Sequence, residues 1–229
     1  MRIIAIIPAR GGSKGLPGKN VMNMAGKPLI AWSIKHCLES ELVNEVYVSS
    51  DDEAILSVAR EYGASPVLRP AELASDHASS EVALMHVMQT IKQPESVDYV
   101  VFLQPTSPLR EKADLDKAIR QIVTSKSDSL LSVTPHRDHF LWRFDDKGTA
   151  QSLNYDYNNR KPRQKIEETF LENGSFYIFK PKILLELKNR LGGKIDFYQM
   201  PKLYSFQIDS YEDFQICEKL ISLVGLEMQ

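Results

Sequence analysis

As far as Pro135, short apolar runs rich in β-branched residues alternate with longer segments of helical period. Arg2 to Pro8, Glu45 to Ser50 (EVYVSS), Asp98 to Gln104 and Ser129 to Thr134 read as strands. Between them, Pro28 to Ser40 reads as a helix entered through a proline, with Leu29, Trp32, Ile34 and Leu38 on its apolar face. Asp52 to Tyr62 is a helix closed by Gly63, and Ser79 to Lys92 and Ala113 to Ser125 complete the series. Such alternation predicts an α/β fold: a mostly parallel sheet flanked by helices, with ligands bound outside the carboxyl ends of its strands. At 229 residues, one domain spanning the chain is the expectation.

The rhythm breaks at His136. From there to Glu168 the chain is charged, aromatic and rich in Asn and Arg, and no helical period develops. A connection that long in a compact domain calls for a function. It reads as an inserted arm, residues 136–168, forming a hairpin that turns near Asp145 to Gly148 and either covers a site or clasps a second subunit; a surface insertion is the plain alternative. Regular structure resumes with a strand from Gly174 to Phe179 and a helix from Pro181 to Leu191. Short strands around Phe197 to Met200 and Ser205 to Ile208 and a helix from Tyr211 to Val224 follow.

The chemistry concentrates where the first strand ends. "IIPARGGSKGLPGKN", Ile6 to Asn20, places four glycines, one arginine and two lysines directly after a buried strand. A Walker A loop ending at Gly18-Lys19 would need glycine at position 13 and a hydroxyl at position 20, which are Ser13 and Asn20. The dinucleotide fingerprint fails on spacing as well. What remains is a loop whose glycines let backbone N–H groups approach a polyphosphate closely, with Arg10, Lys14 and Lys19 to neutralise it. Its plain alternative is a surface turn with incidental lysines.

Twenty-eight basic against thirty acidic residues, net −2, exclude a global positive field for holding a polynucleotide. The apolar run Ile3 to Ile7 is too short for a signal segment or a membrane span, so a soluble, unprocessed chain is expected. Cys37 and Cys217 fall in predicted helices, where buried small hydrophobes are the commoner role, which points to the cytoplasm. The five histidines form no metal or triad constellation: His86 lies on a helix, His136 and His139 on the arm, and His77 in a loop.

Four separated segments, in order, resemble one family. Arg10 to Asn20, Leu68 to Ser80 (LRPAELASDHASS), Leu103 to Arg110 (LQPTSPLR), and Arg163-Gln164 followed by Asn173-Gly174 are similar to the CMP-N-acylneuraminate synthetases, a cytidylyltransferase family. The resemblance implies a nucleotidyltransferase fold, a dimer built through the arm, a Mg2+ requirement, and a reaction. The anomeric hydroxyl of a nine-carbon 2-keto sugar acid attacks the α-phosphorus of CTP, and pyrophosphate leaves. It further implies Lys14 on the β- and γ-phosphates, Lys19 on the α-phosphate, and Arg10 with the Gly11, Gly12 and Ser13 amides completing the cradle. Asn20 would hold the ribose, and Arg69, the Ala78 backbone and Ser80 would read cytosine. Gln104 would meet the sugar's hydroxyls and Arg163 its carboxylate, while Asn173, Tyr177, Phe197 and Tyr198 could line the sugar pocket or serve as core. Without the resemblance, Ser79 or Ser80 reads as a helix cap. Arg110 reads as a cap or local partner, with direct ligand binding the alternative.

One departure stands out. Where the family usually carries an Asp-x-Asp pair for magnesium, this chain has Gln207-Ile208-Asp209. Asp209 could bind the metal alone, with nucleotide oxygens and waters completing the octahedron, or could cap the last helix. Asp51 and Asp52 are open to the same two roles, capping being preferred. Sugars within the nine-carbon group are not separable from one sequence. Two alternatives stay open: the eight-carbon CMP-3-deoxy-manno-octulosonate synthetases, disfavoured because they carry arginine where Lys14 stands, and a non-catalytic nucleotide-binding homologue.

Overall fold

The structure, a computed structural model, describes residues 1–75, 78–136 and 140–223, apart from the side chain of Arg163. His77 and His139, and the expected helix end at Val224, lie outside the described residues. β1 (Ile3–Pro8) is buried along almost its whole length. Successive side chains of a strand face opposite ways, so Ile3, Ala5 and Ile7 join one core and Ile4 and Ile6 the other. A strand apolar on both faces must lie inside a covered sheet, and it does.

Beyond the loop, β2 (Asn23–Met24) and β3 (Lys27–Pro28) form a small hairpin that leads into α1 (Leu29–Leu38). Next come β4 (Glu45–Ser50), α2 (Glu53–Glu61), β5 (Ser65–Leu68), α3 (Ser80–Thr90), β6 (Tyr99–Leu103), α4 (Asp114–Ser125) and β7 (Ser129–Pro135). The arm hairpin pairs β8 (Trp142–Phe144) with β9 (Ala150–Ser152); β10 (Phe170–Phe179), α5 (Pro181–Leu187), β11 (Ile195–Gln199) and α6 (Tyr211–Leu223) complete the chain. The seven-stranded sheet has the order β11-β7-β10-β6-β1-β4-β5. β10 alone runs against its neighbours, so the expected mostly parallel sheet is present.

One core packs α1, α2, α4 and α6 against the sheet; the other packs α3 and α5. Both cysteines are buried in the first, in α1 and α6, and burial pushes both thiols up to about 12. Among the described residues no helix is long and apolar enough to cross a membrane.

Three expectations need correction. The strand expected from Ser205 to Ile208 is a 3-10 turn, Lys202–Ser205, followed by irregular chain. Its apolar alternation is real, but Tyr204 and Ile208 are buried individually rather than along a ladder. The helix after Pro181 ends at Leu187, where Lys188 turns left-handed (φ 53°), short of Leu191. The strand expected from Gly174 starts at Phe170, because Phe170, Leu171 and Glu172 pair with Pro135, Thr134 and Val133 ahead of a bulge.

Candidate active site

The strands β1, β4 and β6 are parallel, so their carboxyl ends Pro8, Ser50 and Leu103 share one edge of the sheet. β10 runs the other way and brings its amino end, with Asn173 and Gly174, to the same edge. The glycine-rich loop leaves β1 there and is tied down at several points. The Gly11 amide donates to the Asp51 carboxylate at 3.1 Å, and Asn20 Nδ2 donates to the Arg10 carbonyl at 3.2 Å. Arg10 reaches the Ser75 carbonyl at 3.4 Å. Asp52 caps α2 through the Ala54 amide (2.8 Å), the role preferred for it.

Lys19 follows the left-handed Gly18 and is only 8% exposed. Its ammonium donates to the Ile208 carbonyl at 2.6 Å and pairs with Asp209 Oδ1 at 3.3 Å. Gly15 packs so closely on this segment that a Cβ there would lie 2.2 Å from the Asp209 carbonyl oxygen. Ile208 and Asp209 are thus part of the loop's seat. Asp209 does not cap α6: Ser210 and Asp213 do so reciprocally, with Asp213 N on Ser210 Oγ (3.2 Å) and Ser210 N on Asp213 Oδ2 (2.9 Å). The Asp209 side chain is left 80% exposed beside Lys19.

A pocket of 190 Å³ sits over this edge, lined by Arg10, Ser13, Lys19, Asn20, Ser80 and Gln104 among others. Residues from three separate motifs therefore meet at one place. Hollows of 740 Å³ and 410 Å³ occur at the amino edge of the sheet and within the arm, and neither is lined by a residue of the loop. Lys14, Gly12 and Gly15 are exposed on the loop itself. The Ala78 amide closes its own turn on Ser75 (3.0 Å), while Ser79 makes no side-chain cap of α3.

Arg69 is 7% exposed, and its buried Nε has no hydrogen-bond partner among the described residues. Burial lowers its pKa, Asp51 at 4.0 Å offsets this, and Arg10 adds to the lowering. A guanidinium left short of acceptors in a buried position costs stability unless something supplies an acceptor there.

Gln104 extends beyond β6, and its side chain makes no hydrogen bond among the described residues. Its backbone is fixed from below by Arg110, which is fully buried. Arg110 donates to the Gln104 carbonyl (2.9 Å), to Ser175 Oγ and O (both 2.7 Å) and to Ser33 Oγ (3.0 Å). Burial lowers its pKa to about 10. Arg110 is therefore a bracket between β6, β10 and α1, which its local-partner reading did not reveal because Ser33 and Ser175 are distant in sequence.

Asn173 and Tyr177 are placed differently from Gln104. Asn173 is fully buried, with Oδ1 accepting from Ser132 Oγ (2.6 Å) and Ser175 N (3.1 Å). Tyr177 stacks on Phe102 (centroids 5.3 Å apart) in the second core, and its hydroxyl donates to Glu172. Both support the pocket wall from behind. Tyr198 likewise packs on Phe176 and donates to Asp114 (3.0 Å), whereas Phe197 meets Phe170 and stays partly exposed. Arg163 lies in a short 3-10 turn of the arm, with its side chain outside the described residues. No cluster of three or more acidic, histidine or cysteine side chains suited to a metal occurs among the described residues.

The cation-lined pocket thus lies at the carboxyl edge of the sheet, where open α/β folds bind ligands. The model of the family described as cytidylyltransferase matches residues 4–228. An N-acylneuraminate cytidylyltransferase A of Danio rerio is 37% identical over 97% of this chain and 51% of its own length, so the chain spans about half of that relative. A CMP-N,N'-diacetyllegionaminic acid synthase of Legionella pneumophila is 37% identical over 97% of both chains. Among solved structures, a CMP:2-keto-3-deoxy-manno-octonic acid synthetase complexed with CTP superposes over 98% of this chain and all of its own, with TM-score 0.75 at 16% identity, a likeness of fold. Loop, pocket and sheet order therefore have one common reading: the chain belongs to the cytidylyltransferase family.

Proposed function

We propose that this chain transfers CMP from CTP to the anomeric hydroxyl of a nine-carbon, sialic-acid-type 2-keto sugar acid, releasing pyrophosphate. The observation that carries the reading is the convergence of Arg10, Ser13, Lys19, Asn20, Ser80 and Gln104 on one pocket where β1 and β6 end. Nucleotidyl transfer needs positioning and charge stabilisation more than covalent help, and this edge offers both. Lys19, with Arg10 and the loop amides, stabilises charge at the α-phosphate, and Lys14 that on the departing pyrophosphate. Arg69, short of an acceptor, suits cytosine's O2 or N3, with Ser80 and the Ala78 backbone beside it. Gln104 offers a donor and an acceptor to the sugar's hydroxyls.

Asp209 is an exposed carboxylate next to Lys19, which fits a Mg2+ held by one protein oxygen together with triphosphate oxygens and waters. Bound there, the cation would neutralise charge on the triphosphate. The arm supports a homodimer, since Leu141, Trp142, Phe144, Leu153 and Tyr157 are all about half exposed or more. In that assembly Arg163 of the arm is our assignment for the sugar's carboxylate. Two buried free thiols suit a reducing compartment such as the cytoplasm.

The test is pyrophosphate release from CTP, with and without Mg2+, on N-acetylneuraminate, N,N'-diacetyllegionaminate, pseudaminate and 3-deoxy-manno-octulosonate. Turnover of a nine-carbon acid is expected. Turnover of the octulosonate alone would replace this substrate class, and CTP binding without turnover of any acid would remove the activity.

A further inference from the structure

Gln207 lies beside Gly174 at the amino end of β10, next to the pocket residue Gln104. Gly174 has φ +65°, within the bulge of β10 between Glu172 and Tyr177. A Cβ at Gly174 would lie 2.5 Å from Gln104 Oε1 and 2.8 Å from Gln207 Nε2. Two carboxamides therefore converge on one glycine that has no room for a side chain. They differ in what holds them. Gln104 makes no side-chain hydrogen bond among the described residues, whereas Gln207 Nε2 donates to the Asn173 carbonyl at 3.0 Å. That carbonyl also accepts from Ser107 Oγ at 3.5 Å, in the loop that Gln104 begins. One residue further along, the Ile208 amide donates to the Thr106 carbonyl at 2.8 Å, and its own carbonyl receives Lys19.

We propose that Gln207 is a positioning residue for the sugar acceptor. Its amide ties the chain at 207 to the β10 bulge and fixes the surface beside the Gln104 carboxamide. The inference rests on the substrate reading above and assigns Gln207 to the acceptor half of the site, while Lys19 serves the nucleotide half. The bond needs an N–H donor, because the partner is a carbonyl oxygen. A carboxylate would set negative charge against the Asn173 carbonyl and lose the bond.

The experiment compares wild type with Gln207→Glu and Gln207→Met. Both variants keep the length of the chain, and each removes the donor. Steady-state constants for CTP and for the best acid of the panel are measured, along with thermal unfolding. The expected result is an acceptor KM raised about tenfold in both variants, more in Gln207→Glu, with the KM for CTP within about twofold. Lys19→Ala, run in parallel, should instead lower kcat. An acceptor KM unchanged in Gln207→Met, or KM values for CTP and acceptor that rise together, overturns the inference and leaves the substrate reading standing. A wild-type enzyme that turns over no acid overturns the substrate reading first, and this inference with it. If both variants unfold at lower temperature, measurement of KM well below that midpoint decides between the same outcomes.

Discussion

The loop leaving β1 and the arm between β7 and β10 both carry cations on irregular chain, yet they are held in opposite ways. The loop is anchored outward: Gly11 to Asp51, Arg10 to Ser75, Lys19 to Ile208 and Asp209, and Gly15 against the Asp209 carbonyl. Each anchor lies on a distant segment seated at the sheet edge. The arm is anchored on itself. Asp145 accepts from the Lys147 and Thr149 amides to make its turn, Phe140, Trp142, Tyr155 and Tyr157 cluster, and Arg160 lies over Phe140. Loop groups are thereby pre-placed by a rigid scaffold, which is what stabilising a transition state requires. The arm instead keeps apolar side chains in solvent, Phe144 at 76%, which is what joining a second surface requires.

The sharpest division between the two regions should appear in kinetics. Lys19→Ala should lower kcat by about 100-fold or more, the loss of a transition-state contact of roughly 3 kcal/mol, with acceptor KM little changed. An undiminished kcat would remove the role given to that lysine. Arg163→Ala, on the arm, should do the reverse, raising acceptor KM about tenfold or more with a smaller effect on kcat. Were both variants to shift the same constant, the two regions would not serve separate halves of the site.

The proposed dimer would separate them further. Phe144→Asp should weaken dimerisation by about 2 kcal/mol, read by light scattering across a concentration series, because it sets a charge in an apolar contact. A chain that is monomeric at every concentration before substitution would contradict the use assigned to the arm. The smallest effect expected is in the sheet body. With burial pushing Cys37 and Cys217 up to about 12, neither thiol should label with a maleimide at pH 8 in the native protein, and both should label in denaturant. Rapid native labelling of either would show that the body opens as readily as a surface segment.

β1, β4, β6, β7 and the helices between them were legible in the sequence because their periodicity is local and their cores lie on defined faces. β5 carries no such signal: it is four residues long, contains Pro66 and lies at the sheet's edge, where a proline is tolerated and no long apolar run is needed. The segment after Pro201 misled for the opposite reason, since its alternation reflects Tyr204 and Ile208 each docking on distant groups. At the site, residue types announced the phosphate loop, but neither the Arg110 bracket nor the meeting of Gln104 with Gln207 over Gly174 has a local signal. Those are facts of tertiary packing between segments many residues apart.

A crystal structure grown with saturating CTP and Mg2+ tests the central claim most directly. The account predicts triphosphate oxygens within hydrogen-bonding distance of Lys19 and the Gly11–Ser13 amides, and the cytosine ring against Arg69. Nucleotide bound elsewhere, with Lys19 still on the Ile208 carbonyl and the loop vacant, would contradict it.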